Sequence, residues 1–201
     1  MKKMSGLDRI FLLITGLLAA YQIVVGVKSA DMLAGLAYTV AFGVLLVAGL
    51  LLIIFGFEVL ASPIVVVVAA IIPLWLALGL VAQYFSVLGT TALVLAIVGL
   101  LAVAVTRFGT RGKLATMVLA VVHGVAGIII FGLPFVLSLR GVTPPGFAMI
   151  GVGGALIGLG GLLLSFLKAG KPILSEETIL TVLPGLLLLM TAAFVAGFAA
   201  L

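Results

Sequence analysis

The sequence predicts an all-α integral membrane protein, a bundle of about seven transmembrane helices with its N-terminus in the cytoplasm and its C-terminus outside. Three observations carry the prediction. Of 201 residues, 66% are hydrophobic and 7% charged, which leaves too little polar surface to face water. Apolar runs of roughly 20 residues recur down the chain, each long enough to cross about 30 Å of hydrocarbon at about 1.5 Å per residue. The basic residues fall in the short gaps between those runs. A membrane barrel is excluded, because residues 45–57 and 64–80 are continuously apolar, whereas a membrane strand alternates apolar and polar over about ten residues.

The chain reads as one transmembrane domain, 1–201, with spans expected at 10–27, 32–57, 63–84, 88–106, 114–139, 144–167 and 176–201. Lys2 and Lys3 before an apolar stretch imitate a signal peptide, but the stretch continues to Val27 and is long enough to span. Ser5 and Asp8 have the spacing of a reciprocal helix cap ahead of the first span. A polar turn at residues 28–31 leads to the second span. A tight turn around Glu58 separates it from the third, where Ser62 is the expected N-cap and Pro63 the first helical residue. The fourth and fifth spans flank the basic loop from Arg107 to Lys113. Thr143, Pro144 and Pro145 open the sixth, and Ser175 caps the seventh with Glu176 and Glu177 at the positive end of its dipole.

Counting basic residues on alternate sides fixes the orientation, since cytoplasmic loops hold the excess. Lys2, Lys3, Arg9, Arg107, Arg111, Lys113, Lys168 and Lys171 share one side, while Lys28 and Arg140 stand on the other. A six-span reading that fuses the second and third runs would part the Arg107 cluster from the N-terminal lysines. Localisation is accordingly the cell membrane, multi-pass, and the net charge of +5 is a topology signal and not a nucleic-acid footprint.

Prolines 73, 134 and 184 lie inside the third, fifth and seventh spans. Each removes a backbone hydrogen bond, which serves ordinary packing or opens a cavity. An 83-residue offset aligns Ile14, Gly16, Leu17, Leu18, Ala19 and Gly26 with Ile97, Gly99, Leu100, Leu101, Ala102 and Gly109. It makes spans one to three and four to six a candidate inverted repeat plus one helix. In the sixth span, Gly151, Gly154, Gly158 and Gly161 recur at three, four and three residues. They form one smooth face for close helix packing, with Gly153 and Gly160 beside it.

The candidate functional polar residues are His123, Glu58 and Gln22. His123, the single histidine, lies near mid-membrane, where an ionisable group is a functional suspect; the alternative is a neutral ring bonded to a backbone carbonyl or to Gln22. Glu58 is either an ion-coupling carboxylate or a solvated turn residue within reach of Arg107 or Lys113. Arg107, Arg111 and Lys113 suit contact with anionic lipid headgroups. With no cysteine and one histidine, no metal or cofactor site and no hydrolytic constellation is expected, so the chain reads as a non-enzyme without cofactor. The partners expected are the lipid bilayer and other membrane subunits or further copies of the chain, with no nucleic acid. Two function classes follow: a small channel or permease for a small or weakly polar solute, and an accessory or scaffold subunit of a larger membrane complex.

Overall fold

The computed structural model describes residues 3–29, 31–109, 113–168, 170 and 173–201. Among them, seven helices are long and apolar enough to cross a membrane: α1 (Gly6–Val25), α2 (Met32–Phe55), α3 (Pro63–Tyr84), α4 (Gly89–Gly109), α5 (Lys113–Leu139), α6 (Met149–Lys168) and α7 (Glu176–Ala199). The protein is a multi-pass helical membrane protein.

Helix ends follow local chemistry more closely than hydropathy. α1 begins at Gly6, four residues before the expected start. The Ser5 hydroxyl accepts from the Asp8 amide at 3.1 Å and the Asp8 carboxylate accepts from the Ser5 amide at 2.8 Å, a reciprocal cap that anchors the first turn. It stops at Val25 because Gly26 adopts φ +68°, a left-handed backbone that only glycine takes at little cost. Gly56, at φ +73°, ends α2 at Phe55 in the same way, and the expected tight turn is a 3₁₀ segment, Gly56–Ala61, with Phe57 buried and Glu58 exposed. Ser62 precedes α3, but its side chain makes no capping bond. The two prolines before α6 yield a 3₁₀ turn, Pro145–Ala148, so the α-helix begins at Met149 and not at residue 144. At α7 the Ser175 hydroxyl accepts from the Thr178 amide at 3.1 Å.

The helices pack in the order α1–α2–α3–α5–α6–α7, and α7 returns to α1, giving a ring of six. α4 stands outside it, against α3 and α5, and is the least enclosed span. The two triplets of the 83-residue repeat differ in packing: α3 lies against α4 and α5, whereas α6 lies between α5 and α7. Arg9, Arg107 and Lys113 share one end of the bundle, the basic end, and Lys28 and Arg140 mark the other.

The two ends are filled differently. At the end bearing Lys28, aromatic rings bridge the ring of helices: Tyr38 of α2 meets Phe198 of α7 at 4.7 Å between centroids, and Tyr84 of α3 meets Phe147, just before α6, at 5.5 Å. A hydrogen-bond relay ties the same end, with the Tyr38 hydroxyl donating to Gln83 at 2.8 Å and the Gln83 amide donating to the Lys28 carbonyl at 3.3 Å. Gly79 leaves room for the Tyr38 ring, against which any side chain at that position would fall. At the basic end, Leu12, Leu52, Phe57, Leu180 and Leu183 form a core among α1, α2 and α7, while Ala70, Val103 and Leu119 join α3, α4 and α5.

The glycines of α6 do not form the single contact face expected. Added carbons at Gly151 and Gly154 would stand 2.7 Å from the Phe131 carbonyl oxygen and 2.8 Å from the Phe131 nitrogen, so α6 rests there on the backbone of α5. Pro134 has no N–H to give the Ile130 carbonyl, and the peptide that Gly154 touches is the one that carries that carbonyl, Ile130–Phe131. Gly153 and Gly160, expected beside the face, turn instead toward α7, where added carbons would stand 2.5 Å from the Phe194 ring and 2.8 Å from Leu186. Gly158 and Gly161 have nothing within 4 Å of an added carbon, which corrects the expectation that they are contact residues. Gly161 borders an open space among α3, α5 and α6.

Candidate functional site

That space is a cavity of about 110 Å³ at the basic half of the bundle, walled by Leu60 of the 3₁₀ segment, Val65, Val66 and Ala69 of α3, Leu119 and His123 of α5, and Gly161 and Leu164 of α6. It brings together His123 and Gly161, two residues singled out separately in the sequence. The volume holds several water molecules. Among the described residues its only side-chain polar group is the His123 imidazole.

His123 is fixed in a defined way. Its Nδ1 lies 3.2 Å from the Leu119 carbonyl oxygen, one turn back on α5. A carbonyl only accepts, so Nδ1 carries the hydrogen, and in the neutral ring Nε2 keeps a free lone pair. This is the backbone-bonded histidine that the sequence offered as one of its two alternatives, without Gln22. Pro73 supplies a second acceptor. Having no N–H, it leaves unmade the helical bond to the carbonyl four residues earlier, which is that of Ala69, a residue of the cavity wall.

A larger cavity, about 360 Å³, lies on the other side of the α3–α5 contact. α4 diverges from α5 there, with Thr91, Ala92, Leu95 and Gly99 on one side, Val121, Val125 and Ile129 on the other, and Leu74, Ala77 and Leu78 of α3 at the back. Thr91 brings the one side-chain hydroxyl. α3 thus serves both cavities, with residues before Pro73 facing the small one and residues after it facing the large one.

The remaining sequence candidates are dispersed. Gln22 lies at the opposite end, buried, its amide donating to the Gly26 carbonyl at 2.6 Å; it closes the end of its own helix and lies beside Tyr38 in the packing. Glu58 is exposed in the 3₁₀ segment Gly56–Ala61. Arg107 is half-buried at the end of α4, and its Nε is buried without a hydrogen-bond partner among the described residues. Lys113 is exposed at the start of α5, and Arg111 lies outside the described residues.

Sequence reasoning named His123 and Gly161 but missed both cavities, and with them Ala69, Leu164 and the α4–α5 divergence. One signal for Ala69 was present, since a proline always orphans the carbonyl four residues before it. The chain matches no family model, and neither the curated proteins nor the solved structures contain a significant match to it.

Proposed function

We propose that this membrane protein is a small channel or permease for a small, weakly polar solute, with the α3–α5 seam as its working element. The single observation behind this reading is the pair of cavities on either side of that seam, both walled by α3 and α5 and offset along α3 about Pro73. The large cavity has an almost wholly apolar lining and suits a solute that partitions partly into lipid. The small one supplies hydrogen-bond acceptors at a depth where bulk water does not. A solute moving between them crosses a barrier of α3 and α5 side chains, and a proline kink is a recognised way for packed helices to yield locally.

The test is flux through vesicles reconstituted with the purified protein, using glycerol, urea and ammonia as neutral probes. Uptake above protein-free vesicles for at least one probe is expected, reduced several-fold by Ala92→Phe, which fills the large cavity. Vesicles no more permeable than lipid alone, together with other chains that co-purify, would overturn transport in favour of the accessory-subunit reading.

A further inference from the structure

We propose that the cavity between α3, α5 and α6 is a binding subsite for a small neutral molecule carrying an O–H or N–H donor, held by the His123 Nε2 lone pair and the Ala69 carbonyl. This deepens the transport reading by naming the chemistry of the solute, and it rests on that reading only for the claim that the occupant is cargo.

The argument begins with the two acceptors. The bond from Nδ1 to the Leu119 carbonyl fixes the ring orientation and commits its only hydrogen in the neutral form, so what the imidazole has left to present is an acceptor. Pro73 leaves Ala69 without its helical donor. Both residues wall the same cavity, and the other walls, Leu60, Val65, Val66, Leu119, Gly161 and Leu164, bring no side-chain donor. An apolar cavity whose described lining offers acceptors and no side-chain donors selects an occupant that brings donors, because a buried acceptor left unmatched is costly in lipid.

Charge and size narrow the class. A cation entering an apolar cavity in lipid needs a compensating charge. Among the described residues no carboxylate lines the cavity to offset it, and no cluster of three metal-ligating side chains exists. An anion is disfavoured by the lone pair itself. A volume of about 110 Å³ admits several waters or one molecule of a few heavy atoms. The class is therefore water, ammonia, or a small alcohol or amide.

Gly161 makes the site testable. An added carbon there meets nothing within 4 Å, so a larger side chain enters the cavity without displacing a helix. The protein has one histidine, so nitrogen NMR of histidine-labelled protein in lipid reports this ring alone. The expected spectrum has hydrogen on Nδ1 and a hydrogen-bonded Nε2. Ethanol should shift Nε2 saturably while its isomer dimethyl ether, with the same atoms but no donor, should not. In Gly161→Leu, and in the smaller Gly161→Val as a control on folding, the ethanol response should vanish while Nδ1 stays bonded to Leu119. Equal responses to the two isomers, no response to either, or a response that survives both substitutions would overturn the site. Failure of transport is separate: an ethanol response confined to the wild-type protein with no flux of any probe leaves the site standing and removes its role as a cargo site.

Discussion

The first and second halves of α6 carry glycine at the same helical spacing on one face, yet on that face the first pair is among the tightest packing in the protein and the second pair borders open space. Gly151 and Gly154 touch the α5 backbone and Gly153 touches Phe194, whereas Gly158 and Gly161 meet nothing within 4 Å. The difference teaches that a smooth helix face is only a permission. In lipid, where no hydrophobic drive pushes helices together, contact depends on what the neighbour offers. α5 offers bare backbone beside Pro134, then moves away where Leu119 and His123 line a cavity.

Substitutions can break or sharpen this contrast. The largest effect is expected at Gly154, where leucine would collide with the Phe131 amide and the Ile130 carbonyl carbon, neither of which can rotate away. Overpacking costs about 1–3 kcal/mol or more, so Gly154→Leu should abolish monodisperse folded protein in detergent; a wild-type melting curve would show that the close approach is not needed. Gly153→Leu should be nearly as harmful, but its obstacle is the Phe194 ring. Combining it with Phe194→Ala should therefore recover part of the loss, with a coupling of about 0.5–3 kcal/mol in a double-mutant cycle. Strict additivity would mean that the two residues do not meet.

At the aromatic end, Tyr38→Phe removes the hydroxyl that donates to Gln83 but keeps the ring against Phe198. Interhelical hydrogen bonds in membranes average about 0.6 kcal/mol, and chemical unfolding should detect a loss of that order. The smallest effect is expected for Gly158→Leu, within about 0.5 kcal/mol of wild type because the site is open. A collapse there as deep as that of Gly154→Leu would erase the contrast between the two halves.

What was legible in the sequence follows the same division. The number of spans came from runs of apolar residues and the start of α7 from Ser175, because caps are local chemistry; the cap of Ser5 with Asp8 was legible too, yet hydropathy places the first span four residues after the helix it opens. The α1 and α2 ends were set two residues too late, since Gly26 and Gly56 were passed over in favour of hydropathy. Packing was less legible. The periodicity of Gly151, Gly154, Gly158 and Gly161 shows that they share an azimuth but not what stands opposite. α4 lies outside the ring of helices, and a helix apolar on all sides carries no sequence signal for that choice. His123 was recognisable as a suspect; the empty space beside it arises from where α3 and α6 part, which no single helix encodes.

The packing of α7 between α1 and α6 has a consequence for biosynthesis. The core of Leu12, Leu52 and Phe57 is completed by Leu180 and Leu183, and a carbon added at Gly185 would stand 3.7 Å from the Phe11 ring. The ribosome must add everything between the end of α2 at Phe55 and the start of α7 at Glu176 before that core can close, a wait on the order of ten seconds at about 5–20 residues per second. Throughout that interval α1 and α2 hold an unfilled seat in the bilayer, and a nascent chain arrested after α6 should remain open there to cross-linking by lipid or by an insertion chaperone, until the last of the seven helices displaces it.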